Sequence, residues 1–238
     1  MRVPYITGDE MRKVDRAMVG DYRIEIIQMM ENAGRVLAAL TRRRFLDDAP
    51  VGRSVLVLCG PGNNGGGGLV AARRLHGWGA DVRVITTRPA ELFLGIPEHQ
   101  LDIVERLGVP VTHAGQPTVL GDYDVVLDAI LGFGLVGAPR DGAAQLIRLA
   151  NELGAPILSL DTPSGLDVTT GQPADPTVTA TATLTLGLPK IGFQRGGARP
   201  VVGELYLGDI GVPPELYAGS GLAYDVGPLF AQDEILRL

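Results

Sequence analysis

Residues 55–73 combine an apolar run, a cluster of glycines and a helical pattern in immediate succession. The apolar run 55–59 predicts a short buried strand. Gly60, Gly62 and Gly65 then match the spacing G-x-G-x-x-G of loops that join a strand to a helix. Such a loop directs backbone N–H groups and the positive end of a helix dipole towards an anion. The stretch therefore predicts an α/β fold with a ligand-binding loop.

This loop departs from two common nucleotide-binding motifs. In dehydrogenases an acidic residue at the end of the second strand binds a ribose hydroxyl. Here that strand ends in Thr86, Thr87 and Arg88, which disfavours an ordinary NAD dehydrogenase. No Lys-Ser/Thr pair follows the glycines, so a P-loop is excluded, and the loop carries two adjacent amides, Asn63 and Asn64. The alternative is a glycine-rich turn that serves only close packing.

Strand and helix patterns alternate along the rest of the chain. We expect strands at 82–86, 109–112, 125–130, 156–160, 179–186 and 204–207, with helices at 97–107 and 143–153. Two further helices, 7–19 and 25–46, precede the first strand, and Thr7 and Glu10 form a capping box. This order is typical of parallel βαβ units. The predicted fold is a three-layer α/β/α sandwich with a Rossmann-like, doubly wound, mostly parallel sheet and N-terminal helices.

No repeat or linker divides the 238 residues, so we expect one domain, 1–238. Its parts are N-terminal helices (1–50), a Rossmann-like core (51–210) and a C-terminal tail (211–238), which is expected to be irregular. The N-terminal helices are predicted to pack on the sheet edge or on a partner subunit. Gly34 in the second helix predicts a close helix contact, because glycine weakens an isolated helix.

Charge and composition limit the classes of partner. The net charge of −6 disfavours nucleic acid, whose phosphates require basic surfaces. The longest apolar stretches fall short of the roughly 18 residues of a membrane span. The single cysteine, Cys59, follows an apolar strand and is expected to be buried rather than nucleophilic. We expect a soluble, cytoplasmic protein with no membrane or nucleic-acid partner.

Three loops with polar chemistry follow predicted strands: 60–68, 128–139 and 161–167. Ligands of open α/β sheets bind beyond the carboxyl ends of the strands, so these loops define one candidate site. Asp128 ends an apolar strand and needs donors or a cation; the alternative is that it only caps the following loop. With oxygen atoms from Asn64 and Ser164, this donor set suits a hard cation and is poor for zinc. The three histidines lie outside the loops.

Other polar residues near these loops allow more than one role. Ser164 has no histidine nearby and no G-x-S-x-G context, so binding or structural use is preferred over a nucleophilic role. Asp161 can accept hydrogen bonds from a ribose or an amide. Lys190 follows an apolar strand, where it either faces a phosphate or is an exposed structural lysine.

Three motifs together resemble the YjeF N-terminal domain family, which includes the apolipoprotein A-I-binding protein of animals. They are Gly-Pro-Gly-Asn-Asn-Gly-Gly at 60–66, Asp-Ala-Ile-Leu-Gly-Phe-Gly at 128–134 and Asp-Thr-Pro-Ser-Gly at 161–165. The resemblance extends from the helix around 30–34 to residues 207–214. It implies a potassium ion, one per subunit, bound by Asn64, Asp128 and Ser164. The positions that match family contacts to a hydrated dinucleotide are Asn63, Asn64, Gly65, Gly66, Gly67, Gly132, Phe133, Gly134, Leu135, Val136, Gly137, Ala138 and Asp161.

The resemblance also implies an activity. Enzymes of this family are epimerases that interconvert the R and S forms of hydrated NADH and NADPH (NADHX and NADPHX) at C6 of the nicotinamide ring. Asp128 is the expected catalytic carboxylate, through electrostatic stabilisation and proton transfer. The product would pass to a separate dehydratase, and a homodimer is expected.

One position departs from the family pattern. Gly67 stands where the family typically has an aspartate. Two alternatives to an active epimerase therefore stay open. One is a diverged, non-catalytic nucleotide-binding or scaffold module, and the other is an enzyme that acts on a different small substrate at the same site.

Overall fold

A computed structural model describes residues 3–117, 121–219 and 221–238. In chain order its helices and strands are α1 (Gly8–Gly20), α2 (Ile26–Phe45), β1 (Ser54–Cys59), α3 (Asn63–Gly77), β2 (Asp81–Thr86), α4 (Gly95–Arg106), β3 (Val111–His113), β4 (Val125–Ala129), α5 (Asp141–Glu152), β5 (Ile157–Leu160), β6 (Ala182–Leu186), α6 (Arg199–Val202), β7 (Glu204–Gly208), α7 (Pro214–Gly219) and β8 (Ile235–Arg237). Over these ranges, every helix is too short or too polar to cross a bilayer.

The strands form one sheet in the order β3-β2-β1-β4-β5-β6-β7-β8. Neighbouring strands are parallel except for β7 and β8, which are antiparallel. The chain therefore enters at β1, winds outward to β3, returns to β4 and winds outward in the other direction. The doubly wound, mostly parallel sheet is confirmed. It places a topological switch point between β1 and β4, where ligands of such sheets bind.

Alternating side chains of the central strands face two different helical layers. Val55 and Val57 share a buried core with α2, α3 and α4. Leu56 and Leu58 face the opposite way, into a core that contains α5. Because both faces of β1 are covered, its side chains are apolar from Val55 to Cys59. This confirms the three-layer α/β/α sandwich.

The two N-terminal helices pack in different places. The predicted capping box of α1 is present, with Thr7 and Glu10 each accepting from the other's backbone N–H. Helix α2 lies on the sheet face beside α3, so the prediction of packing at the sheet edge is wrong for α2. Packing on a partner subunit stays a prediction. A Cβ at Gly34 would overlap Val70 and the carbonyl oxygen of Gly67, which confirms that glycine is needed for the contact between α2 and α3.

The segment after Gly211 contains two short regular elements, so the prediction of an irregular tail is wrong for residues 214–219 and 235–237. Strand β8 pairs with β7 through Leu236 opposite Leu207. Helix α7 buries Leu216 and Tyr217 in a cluster with α1. Both elements are too short to produce a periodic pattern, and tertiary contacts define them instead.

Candidate active site

The loops 60–68, 128–139 and 161–167 meet at the carboxyl ends of β1, β4 and β5. These strands are parallel neighbours, so the loops leave the sheet side by side. The N–H of Gly60 donates to the carbonyl of Ala129 over 3.1 Å. The N–H of Phe133 donates to Oδ2 of Asp161, also over 3.1 Å. The prediction that the three loops share one edge is confirmed, and that edge lies at the switch point.

The Asp128 carboxylate lies beneath these loops and accepts four hydrogen bonds. Its Oδ1 accepts from Oγ of Ser164 (2.6 Å) and from the N–H of Ile130 (3.2 Å). Its Oδ2 accepts from Oγ of Ser159 (2.8 Å) and from the N–H of Ser164 (2.9 Å). Asp128 is 0% exposed. Burial raises its pKa, while the hydrogen bonds from Ser164, Ser159 and Ile130 act to lower it. The carboxylate therefore has the donors that its apolar strand requires, and no surface open to solvent.

Ser164 joins the β4 loop to the β5 loop. Besides donating to Asp128, its Oγ accepts from the N–H of Leu131 over 2.8 Å and lies 3.2 Å from the carbonyl oxygen of Leu131. Ser164 is fully buried. These contacts fix the conformation at the start of the glycine-rich segment 132–138.

The glycine cluster at the start of α3 has a packing role. A Cβ at Gly65 would overlap the carbonyl oxygen of Gly60, and one at Gly66 would lie 2.5 Å from Sδ of Met30. Packing therefore explains much of the glycine pattern. The part of the motif that faces outward is the first turn of α3, with Asn63 exposed and Asn64 half-buried.

Gly67 faces the interior. A Cβ at this position would lie 2.9 Å from Cδ2 of Leu160 and 3.7 Å from Cβ of Ala33. Leu160 thus occupies the space that a side chain at position 67 would take, and position 67 is lined by apolar groups.

The Asn64 amide lies between the other two loops. A Cβ added to Gly132 would lie 3.4 Å from Cβ and Cγ of Asn64. It would also lie 3.4 Å from Oδ2 of Asp161. The Nδ2 of Asn64 is buried without a hydrogen-bond partner among the described residues. A half-turn of the amide exchanges nitrogen and oxygen. The position can therefore offer an oxygen to a cation or a donor to a ligand.

Asp161 is held on both carboxylate oxygens. Its backbone is left-handed (φ 66°), a conformation that persists in a non-glycine residue only when its surroundings fix it. Oδ2 accepts from Phe133, and Oδ1 accepts from Nζ of Lys190 at 2.5 Å. Lys190 is 0% exposed. The alternative of an exposed structural lysine is therefore wrong, because Asp161, Thr185 and the carbonyl of Leu186 surround its ammonium.

Residues 132–138 form the open rim of the site. Gly134, Gly137 and Ala138 are exposed, and Val136 is 93% exposed. A cavity of about 210 Å³ lies between Leu135 and Gly137 on one side and residues 165–174 on the other. Another cavity, of about 330 Å³, lies around 209–217 and 226–231 and has no lining residue from the three loops.

The structure draws attention to two polar residues that the sequence patterns did not single out. Ser159 donates to Asp128, and its only signal is a polar residue within the apolar strand β5. Asp15 lies on α1 next to the buried Val14. Its pKa is raised to about 6, chiefly by burial and also by the charge of Asp161, whereas Lys190 acts to lower it.

Asn64, Asp128 and Ser164 provide an amide, a carboxylate and a hydroxyl around Leu131 and Gly132. Oxygen donors of this kind suit alkali and alkaline-earth cations. In the parts of the chain that the structure describes, three or more His, Cys, Asp or Glu side chains do not cluster as a metal site. Asn64, Asp128 and Ser164 together contain one carboxylate, and the amide nitrogen of Asn64 lacks a hydrogen-bond partner in the described part of the chain. This donor set fits a monovalent cation such as potassium.

The fold and the loop edge define a Rossmann-like α/β protein with a candidate ligand site at the switch point of its sheet. Residues 26–192 match the family model described as YjeF-related protein N-terminus. The chain belongs to this family.

Relatives extend the match over most of the chain. An NAD(P)H-hydrate epimerase of Dehalogenimonas lykanthroporepellens is 40% identical over 228 residues, which cover 95% of this chain and 89% of that protein. A bifunctional NAD(P)H-hydrate repair enzyme of Moorella thermoacetica is 35% identical over 90% of this chain, but this chain spans only 41% of its length. The crystal structure of the yeast protein YNL200c matches with a TM-score of 0.82, covers 99% of this chain and all of that chain, and is 24% identical. It supports the fold.

Proposed function

We propose that this protein is an NAD(P)H-hydrate epimerase, which interconverts the R and S forms of NADHX and NADPHX. The proposal is supported by a relative of that name that matches 95% of this chain. The structural observation that carries it is the contact of Ser164 with Asp128 and Leu131, with Asn64 beside Gly132. All three loops of the family pattern meet there.

The reaction sets four requirements. In the hydrated coenzyme, a hydroxyl group is bonded to C6 of the nicotinamide ring. The lone pair of the ring nitrogen expels this group, which takes up a proton and leaves as water, so the ring becomes cationic. Water then adds to the opposite face of C6 and releases a proton. The protein must bind the dinucleotide, retain water near C6, stabilise the cationic ring and exchange a proton.

The residues of the site can be assigned to these requirements. The start of α3 at Asn63 and Asn64, and the backbone of 132–138, present N–H groups to the phosphates. The negative charge of Asp128 stabilises the cationic ring from below. The proton exchange is assigned to the pair of Asp128 and Ser164, which lies buried beneath Leu131 and in which Ser164 donates to Asp128 over 2.6 Å. Asp161 is fixed at the rim and binds the ligand beside Asn64.

Potassium is a further part of the proposal. Asn64, Asp128 and Ser164 would hold the ion, which would supply positive charge near the pyrophosphate of the substrate. The product would be consumed by a dehydratase, in agreement with a relative described as a bifunctional repair enzyme. A homodimer also stays a prediction, which light scattering of the purified protein would test.

The test is a coupled assay. Purified protein is mixed with R-NADHX and a dehydratase that accepts only the S form, and consumption of the R form is followed. We expect acceleration over the spontaneous rate for the wild type and its loss in Asp128→Asn. Asp81→Asn, which makes the same change at an exposed position at the start of β2, is the matched control and should retain activity. A wild-type rate equal to the spontaneous one contradicts the proposal.

Thermal unfolding of the same purified protein, with and without NADP+ and potassium, distinguishes the alternative functions. Stabilisation by NADP+ or potassium without turnover would indicate a binding module or an enzyme for another substrate. A melting temperature that responds to neither would indicate a scaffold.

A further inference from the structure

The ammonium of Lys190 has no hydrogen left for a ligand. It donates to Oδ1 of Asp161 (2.5 Å), the carbonyl of Leu186 (2.8 Å) and Oγ1 of Thr185 (3.1 Å). A protonated lysine has three N–H groups, so its donors are fully used. The side chain is also fully buried. Lys190 therefore acts on a ligand through its neighbours and does not bind a phosphate directly.

Lys190, Asp161 and Phe133 form a closed triangle. Lys190 pairs with one carboxylate oxygen of Asp161, and the N–H of Phe133 donates to the other. The ring of Phe133 lies beside Lys190. Its centroid is 5.7 Å from Nζ of the lysine, which is within the range of a cation–π contact. The triangle ties the loop after β4 to the loops after β5 and β6. It fixes Phe133 within the rim segment 132–138.

The amino-acid usage of the chain indicates a specific need for lysine here. The sequence has 19 arginines and two lysines, Lys13 and Lys190. A guanidinium is larger and has five N–H donors to satisfy, whereas the buried site of Lys190 provides three acceptors. The other lysine, Lys13, is exposed on α1. A compact, buried charge is thus retained in a chain that otherwise uses arginine.

The segment before α1 supports Lys190 through the backbone. It pairs with the chain on both sides of Lys190, because the N–H of Ile6 donates to Pro189 and the N–H of Ile191 donates to Ile6. These two hydrogen bonds hold the backbone on either side of the lysine.

We propose that Lys190 is a positioning residue of this enzyme, which holds Asp161 and Phe133 and thereby fixes the rim 132–138 for the dinucleotide. The proposal rests on the proposed function.

The first experiment compares Lys190→Met with Lys13→Met, the same change at the exposed lysine. We expect Lys190→Met to raise KM by about tenfold or more, with a smaller effect on kcat, and Lys13→Met to leave both unchanged. If Lys190→Met fails to fold because Asp161 is left unpaired, the double variant Lys190→Met with Asp161→Asn removes both charges and replaces it. A folded variant with wild-type KM overturns the proposal.

A second readout does not require turnover. The N–H of Phe133 should exchange with solvent about tenfold faster in Lys190→Met, or in the double variant, than in Lys13→Met. If the wild type shows no epimerisation, the proposed function fails. Faster exchange together with weaker NADP+ binding would still support the positioning role, and unchanged exchange would reject it.

Discussion

Oγ of Ser164 donates a 2.6 Å hydrogen bond to Oδ1 of Asp128, although the two residues are 36 positions apart in the chain. The contact exists because β4 and β5 are parallel neighbours whose carboxyl ends lie at the same edge. Ser164 also accepts from Leu131, so one hydroxyl links a buried charge to the loop above it. The chemistry proposed for the site depends on this link.

Replacing Asp128 by asparagine should affect both stability and activity. The carboxylate accepts four hydrogen bonds, and an amide nitrogen would oppose the two donors at one of its oxygens. We expect a loss of about 2–4 kcal/mol in the free energy of unfolding, and a fall in kcat of about 100-fold or more. Urea unfolding and the coupled assay measure the two effects. Wild-type stability in Asp128→Asn would show that these hydrogen bonds contribute little.

Potassium should stabilise the folded protein through the oxygen donors of the site. At saturation we expect roughly 1–3 kcal/mol of stabilisation, seen as a rise of several degrees in the melting temperature. Choline chloride at equal ionic strength controls for screening. Ser164→Ala removes one oxygen and should abolish the difference between the two salts. An equal response of the wild type to both salts would argue against a potassium site.

Restoring the aspartate of the family at position 67 should destabilise this chain. The new Cβ would lie 2.9 Å from Cδ2 of Leu160, and the carboxylate would enter an apolar space. We expect Gly67→Asp to lower the free energy of unfolding by about 2–4 kcal/mol. Adding Leu160→Ala should recover part of this loss beyond additivity, as measured in a double-mutant cycle.

A control for that cycle is available on the same helix. Gly77 is exposed at the end of α3, with no atom within 4 Å of an added Cβ. Gly77→Asp should change stability by less than about 1 kcal/mol. Full additivity of Gly67→Asp and Leu160→Ala would mean that Leu160 does not fill the space beside position 67.

The pH dependence of stability should include a contribution from Asp15. Its pKa is raised to about 6, from an ordinary value of 3.8, so the folded state binds this proton more tightly than the unfolded state. The corresponding stabilisation is complete below about pH 4 and is lost as the pH rises through about 6. Asp15→Asn cannot ionise. Relative to the wild type it should therefore gain about 1–3 kcal/mol between pH 4 and pH 7 in urea unfolding. A constant difference across this range would contradict the assignment.

The sequence predicted the layers and the loop edge well because these follow from patterns over many residues. Strand β1 is apolar from Val55 to Cys59, a pattern typical of a strand that is covered on both faces. The three polar loops each follow a strand, and parallel strands bring their carboxyl ends together. Short elements were predicted less well. Helix α7 and strand β8 have 6 and 3 residues, and their conformation depends on α1 and β7.

The sequence alone determined the fold class, the position of the three loops and the oxygen chemistry of Asn64, Asp128 and Ser164, because periodicity and motif spacing are local properties of the chain. Only the tertiary structure decided that Asp128 is enclosed by four donors and that Lys190 is buried against Asp161. Burial and charge pairing depend on which distant segments meet. A lysine after an apolar strand reads the same in the sequence whether it faces solvent or a carboxylate from a neighbouring loop.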